Sequence, residues 1–199
     1  MPRHDDPTLW NAAAADHLRA VADRVAAAPP PTQVGTEVTL AFTELAEKAA
    51  AEIDRLTAAI DRDRCLYVFE ATSEVELDEL RAAFRKAKKE RKDEMKLPED
   101  NEQSTSHILN VGSSCATTGR SQTLKSRLKQ HLVAANKGTY ALNLSLWAAD
   151  QPGGVVIRAY DYAALAGLDD DAAREVVLAA EDWLSSELQP LFGRRGSRH

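Results

Sequence analysis

The stretch from Ile108 to Leu132, ILNVGSSCATTGRSQTLKSRLKQHL, constrains the fold most, because its periodicity changes halfway along. In its first part apolar residues alternate with other residues as in a β-strand, and in its last part apolar residues recur at helical spacing. The turn between them is rich in Gly, Ser and Thr, which are typical of loops. A strand followed closely by a helix predicts a domain that contains both types of element.

Further strand-like and helical runs surround this stretch. Three runs are rich in β-branched, aromatic and aliphatic residues: CLYVFEA, YALNLSLWA and GVVIRAYDY. We expect the last two to form a hairpin through ADQPGG. Charged helices are predicted at SEVELDELRAAFRKAKKERKDEMK and after Asp169, whose carboxylate suits a helix N-terminus. The fold class is therefore predicted as α+β, with a small, mainly antiparallel sheet flanked by helices.

The first third of the chain is predicted to form two helices, and its sequence contains no recognisable catalytic residues. One runs from Pro7 to Ala28 and is stopped by PPPTQVG, and the second runs from about Glu37 to Asp63. We expect an N-terminal helical hairpin over residues 1–63, as an extension to a domain over residues 64–199. Such a pair is typical of a scaffold or of a contact that forms a homodimer.

Charge and hydropathy exclude some classes of protein. The net charge of −6 argues against a protein that coats nucleic acid without discrimination. Basic residues are nevertheless concentrated in Arg81–Lys96 and Arg120–Lys137, so the charge distribution is compatible with a local basic groove. We found neither a signal peptide pattern nor an apolar run near the ~20 residues that span a bilayer. We therefore expect a cytoplasmic protein with no membrane partner.

The last helix contains a carboxylate in an unexpected position. Glu181 falls on the same helical face as Val177 and Leu184. An ionised carboxylate beside an apolar stripe costs several kcal/mol unless it is paired or bound to a metal. Three explanations are open for this placement: a salt bridge to an arginine, a solvent-exposed edge of the apolar stripe, or a metal site.

Basic residues surround the apolar stripe of the helix that follows the Gly/Ser/Thr turn. Arg127 and His131 lie one turn apart at the margin of that stripe, and Lys125 and Lys129 lie further round. A guanidinium beside an imidazole suits phosphate binding, because arginine offers a rigid and permanently charged fork. A solvated basic face explains the same pattern. Tyr67, in CLYVFEA, would by itself be interpreted as a core residue.

Four motifs together resemble the GIY-YIG nuclease superfamily. They are LYVF on one strand, ILNVGSS on the next, LKSRLKQHL on a helix, and EDWLSSELQP, in which Glu181 precedes Pro190 by nine positions. The likeness covers roughly Cys65 to Arg198. It implies a GIY-YIG-like domain with a basic helical insertion at about residues 73–106.

The resemblance implies a role for particular residues. Tyr67, Arg127, His131 and Glu181 would be catalytic, and Glu181 would also hold one Mg²⁺ or Mn²⁺ ion. Substrate contacts are expected from the second strand motif and the following helix, at Asn110, Gly112, Ser113, Ser114, Lys125 and Lys129. Asn110 stands where the second motif has a tyrosine, and Gly193 stands where an asparagine is common.

These features predict a metal-dependent DNA endonuclease that hydrolyses phosphodiester bonds. The replacement by Asn110 and the acidic net charge support an alternative, a catalytically inactive nuclease-fold protein that binds nucleic acid or a protein partner. A third interpretation is an assembly module in which the N-terminal helices are the working part.

Overall fold

The computed structural model describes residues 10–58, 60, 64–115, 123–133, 137–162, 165 and 169–193, which form five α-helices and five β-strands. The helices are α1 (Trp10–Ala27), α2 (Leu45–Thr57), α3 (Leu77–Glu90), α4 (Leu124–Leu132) and α5 (Asp170–Leu188). The strands are β1 (Thr32–Gln33), β2 (Val38–Ala41), β3 (Arg64–Ala71), β4 (Ile108–Cys115) and β5 (Gly154–Asp161). The predicted α+β class is confirmed.

A mostly antiparallel sheet with β3 near its centre organises the described residues. Its order is β1-β5-β3-β4, and β2 also pairs with β5. Each of these pairings is antiparallel, which confirms the expected sheet type. Every residue of β3 except Glu70 is buried, because helices cover both faces of this strand.

Alternation along β3 separates two layers of core. Tyr67 and Phe69 point into the larger layer, which also contains apolar residues of α2, α3 and α4. Leu66 points the other way, into a smaller layer with residues of α5 such as Val177. We call these two sides of the sheet the α4 face and the α5 face.

The expected N-terminal hairpin is wrong, because its two helices pack on opposite faces of the sheet. Helix α2 lies in the core of the α4 face, whereas α1 packs against α5, where Arg24 contacts Glu175. Between these helices, β1 and β2 pair with β5. The region is therefore part of the main fold, since Leu45 and Ile53 share one core layer with Tyr67.

The expected strand YALNLSLWA is also wrong. Its central residues Leu144–Leu146 form a 3₁₀ turn, preceded by Asn143 in a left-handed conformation with φ of 52°. The Trp147 indole N–H donates a 2.6 Å hydrogen bond to the Leu142 carbonyl, which ties the turn to itself. The segment is buried like a strand but does not pair like one, so β5 pairs with β3 and with the N-terminal strands instead.

The basic insertion at about residues 73–106 neutralises part of its own charge. It contains α3 and the loop that returns to β4. Arg81 and Arg85 both bind the carboxylate of Asp100, and Lys88 donates a 2.7 Å hydrogen bond to the Pro98 carbonyl. Fewer cations are therefore available for a nucleic acid here than the sequence alone indicates.

No helix in the described ranges combines the length and hydropathy needed to cross a bilayer.

Candidate functional site

Tyr67 lies over Gly112, and the absence of a side chain at Gly112 makes room for it. The two residues are paired across β3 and β4, so they share the α4 face. A Cβ atom at position 112 would lie 2.4 Å from the Tyr67 Oη and 2.5 Å from its Cζ. The glycine therefore admits the phenol ring, a function different from the close approach of substrate that we expected.

Two side chains of α4 contact the Tyr67 hydroxyl. The Arg127 Nε lies 3.3 Å from the Tyr67 Oη, and the His131 Nε2 lies 3.2 Å from it. Arg127 and His131 are one helical turn apart on a helix whose N-cap is Thr123. The expectation that these residues lie beside Tyr67 agrees with this geometry.

The protonation state of His131 follows from its burial and its second hydrogen bond. Burial, and then the positive charge of Arg127, lower the pKa of His131 to about 3, so the imidazole is neutral near pH 7. Its Nδ1 accepts a 3.2 Å hydrogen bond from the Leu142 backbone N–H. The ring proton is therefore on Nε2, which donates to Tyr67. The phenol oxygen thus accepts hydrogen bonds from both His131 and Arg127.

Tyr67 is held as a neutral phenol. Burial raises its pKa, the positive charge of Arg127 opposes that effect, and the negative charge of Glu181 adds to it. The Tyr67 side chain itself is fully buried.

Arg127 connects this buried group to the surface of α4. Its side chain is half-buried, and its Nη1 donates a 2.9 Å hydrogen bond to the Gln130 Oε1. A guanidinium carries five N–H donors, and the contacts with Tyr67 and Gln130 use two of them. The remaining donors give the group the capacity to bind an anion.

Glu181 lies on the α5 face and accepts a hydrogen bond from the Ser113 hydroxyl. Ser113 is paired with Leu66, whereas Gly112 is paired with Tyr67 on the opposite face. Glu181 and Tyr67 therefore flank β4, one on each side of its Gly112–Ser113 step. Glu181 itself is half-buried at the margin of the apolar contacts of α5.

The donors that the described residues place at Glu181 suit a cation that keeps most of its water. Among the described residues, no group of three or more His, Cys, Asp or Glu side chains could enclose a metal ion. This argues against a closed zinc-type site formed by those residues. One carboxylate beside a hydroxyl fits Mg²⁺, which commonly binds one or two carboxylates and completes its shell with water and phosphate oxygens.

Asn110 and Ser114 are buried on the α4 face and do not reach the surface. The Asn110 Nδ2 donates a 3.0 Å hydrogen bond to the Phe192 carbonyl and lies against Gly193, whose φ is 104°. The Ser114 side chain is 1% exposed, and its hydroxyl has no hydrogen-bond partner among the described residues. Neither side chain is therefore placed to contact a substrate at the surface.

Lys125 and Lys129 face α2 instead of the Tyr67 group. Both ammonium groups contact the Asp54 carboxylate, at 3.0 and 3.5 Å. Each lysine is two positions from Arg127, which is about 200° around the helix, so they lie on the opposite side of α4. The structure thus separates these two expected substrate contacts from the arginine.

Two contributors to the site were not identified from the sequence. Gln130, three residues after Arg127, could have been found from helical spacing, because such pairs are neighbours on a helix. The Leu142 backbone N–H could not, because its position depends on the irregular segment after α4.

A separate cavity of about 550 Å³ lies on the α5 face, lined by apolar side chains that include Leu66, Tyr160 and Leu184. Trp183, 65% exposed, also lines it. Trp183 is two positions after Glu181 and so projects about 200° away from it. Leu66 is the cross-strand partner of Ser113, and Leu184 lies about one helical turn after Glu181, so the cavity lies beside the Glu181–Ser113 contact.

Comparison with known proteins found no matching family model, no similar curated protein and no similar solved structure.

Proposed function

We propose that the protein is a metal-dependent DNA endonuclease that hydrolyses phosphodiester bonds. The observation that supports this proposal most strongly is the contact of Tyr67 with Arg127 and His131, which are 60 and 64 positions away in sequence. The charge of Glu181 acts on the same phenol. We also propose a GIY-YIG-like arrangement, since a strand tyrosine, a helix arginine and a distal glutamate follow one another as the resemblance implies.

Arg127 is the proposed partner of the scissile phosphate. Hydrolysis places additional negative charge on the phosphoryl oxygens, and a fixed guanidinium beside them would stabilise that charge. One such electrostatic contact is commonly worth ~3 kcal/mol or more in the transition state. Tyr67 and Gln130 each hold one end of the guanidinium, which limits its motion.

Glu181 is the proposed ligand of a single Mg²⁺ or Mn²⁺ ion. When bound, such an ion supplies Lewis-acid stabilisation of the phosphate and the leaving oxygen. The contribution of the chain is a carboxylate fixed at the Gly112–Ser113 step of β4 by the Ser113 hydroxyl.

Tyr67 is the proposed acceptor of the proton from the attacking water. Two N–H donors and the charge of Arg127 favour its phenolate form, whereas burial and the Glu181 carboxylate oppose it. Neutralising that carboxylate with a cation would shift the balance toward phenolate. Because the hydroxyl is buried, substrate binding must open a path to it, and this opening is part of the proposal.

The alternative is a catalytically inactive nuclease-fold protein that binds nucleic acid or a protein partner. The complete burial of Tyr67 and the effect of burial on its pKa favour this alternative.

A homodimer through the N-terminal helices also stays a proposal. Helix α1 exposes Leu18 and Val25 at 67% and 37%, which gives it an apolar surface for such a contact.

The direct test is a cleavage panel with duplex, single-stranded and branched DNA, with Mg²⁺, with Mn²⁺ and with a chelator. We expect metal-dependent cleavage of at least one substrate and its loss in Glu181→Gln. Glu187→Gln is the matched control, because Glu187 is exposed on the same helix, and it should cleave like the wild type. Cleavage that persists in Glu181→Gln contradicts the proposed site. DNA binding without cleavage under every condition favours the alternative.

A further inference from the structure

We infer that Ser113 is a positioning residue that holds the Glu181 carboxylate in the orientation needed to bind a divalent cation. This inference rests on the metal-binding role proposed above for Glu181. It assigns Ser113 a function different from the direct contact with substrate expected from the sequence.

The fold brings these two residues together across the α5 face. Ser113 lies on β4 and is paired with Leu66, whose side chain belongs to the core layer beneath α5. Glu181 lies on α5, 68 positions later in sequence, and its Oε2 accepts the hydrogen bond from the Ser113 hydroxyl. Because Val176 and Val177 anchor α5 in the same core layer, strand and helix hold the two side chains at a defined separation.

A donor at this place is useful because a glutamate side chain has three rotatable bonds. A half-buried carboxylate without a fixed orientation would have to be ordered at the moment when a cation binds. The Ser113 hydroxyl orders it beforehand by holding one of the two carboxylate oxygens, Oε2. Hydrogen-bond partners of metal ligands typically change metal affinity by about 10- to 100-fold.

The neighbouring serine provides a matched control. Ser114 has the same side chain on the same strand, but it points to the α4 face and is paired with Cys65. Its hydroxyl forms no hydrogen bond with a described residue, so its removal leaves the Glu181 contact intact. Ser113→Thr is a second control, because it keeps the hydroxyl and places a β-branched residue on a strand, where such residues are well tolerated.

The experiment is a titration of the full-length protein with Mn²⁺ in the absence of nucleic acid, with free Mn²⁺ measured by electron paramagnetic resonance. We expect the wild type to bind one ion and Glu181→Gln to lose that site. Ser113→Ala should bind about tenfold more weakly. Ser113→Thr should recover most of the affinity, and Ser114→Ala should bind within about twofold of the wild type, as expected for a group outside the site. Circular dichroism spectra establish that each variant is folded.

Three results would overturn the inference: equal affinity in Ser113→Ala and the wild type, equal weakening in Ser113→Ala and Ser114→Ala, or no Mn²⁺ binding by the wild type. The DNA cleavage panel separates this inference from the proposed nuclease function. A protein that binds Mn²⁺ through Glu181 and Ser113 but cuts no DNA supports the inference and contradicts the nuclease proposal. DNA cleavage by a protein whose Mn²⁺ affinity is unchanged by Ser113→Ala supports the nuclease proposal and contradicts the inference.

Discussion

Removal of the titratable group at His131 should change how the stability of the protein depends on pH. The His131 side chain is 3% exposed, and its pKa is lowered to about 3 by burial and by Arg127. In the unfolded chain the imidazole has its ordinary pKa of about 6.5. Between these two values the unfolded state binds a proton that the folded state excludes. The free energy of unfolding therefore falls as the pH decreases from 6.5 toward 3.

The size of this effect follows from the two pKa values. Each pH unit within that window removes up to about 1.4 kcal/mol from the free energy of unfolding. Between pH 7.5 and pH 4.5 the loss due to His131 alone comes to about 2.5 kcal/mol. Such a loss is a large part of the 5–15 kcal/mol typical of a folded domain.

The assay is urea denaturation of the wild type and of His131→Asn at intervals between pH 4.5 and pH 7.5. His131→Asn loses ring contacts with Tyr67 and Phe69, so it should be less stable throughout, and the comparison concerns slopes. We expect the stability difference between the two proteins to shrink by about 2.5 kcal/mol at the acidic end. His107→Gln, at an exposed position, should keep the slope of the wild type. Parallel curves for the wild type and His131→Asn would refute the protonation state assigned to His131.

Two further predictions concern packing and charge. Gly112→Ala places a Cβ atom 2.4 Å from the Tyr67 Oη and should cost about 1–3 kcal/mol of stability in chemical denaturation. Gly138→Ala, which meets nothing within 4 Å, should cost little, and equal losses would contradict the close packing at Gly112. Asp100→Asn removes the carboxylate that two arginines of α3 share, one of them only 12% exposed, and should cost about 3 kcal/mol. Glu102→Gln, at a side chain 77% exposed, should change stability by less than about 1 kcal/mol, and a larger loss there than at Asp100 would contradict this ranking.

Long elements with a clear period were predictable from the sequence. The run CLYVFEA became β3, HILNVG became most of β4, and LKSRLKQHL became α4. The start of the last helix was also predictable, because the Asp169 carboxylate accepts a hydrogen bond from the Ala172 N–H as an N-cap. In these segments local preference and tertiary packing favour the same structure.

Short or irregular elements were not predictable. Strands β1 and β2 contain two and four residues, which is too short for a recognisable period, and β2 was assigned to the following helix. The run YALNLSLWA has the composition of a strand, but the left-handed Asn143 and the Trp147–Leu142 hydrogen bond stabilise a turn instead. That choice depends on tertiary contacts that composition does not show.

The candidate site likewise has some features that were predictable from the sequence and others that were not. Helical spacing placed Arg127 beside His131, and the resemblance placed both near Tyr67. Spacing did not show that Lys125 and Lys129 face Asp54, because that contact depends on how α2 packs against α4. A sequence pattern identifies which residues share a face of one element, whereas their partners on other elements depend on the fold.

We propose that Tyr67 and Glu181, on opposite sides of β4, act together on one phosphate. The most direct measurement is a double-mutant cycle of single-turnover DNA cleavage rates for the wild type, Tyr67→Phe, Glu181→Gln and the double variant. Groups that act as one unit show strongly non-additive losses. We therefore predict that the double variant cleaves about as slowly as the slower single variant. Losses that multiply in the double variant would contradict a shared site.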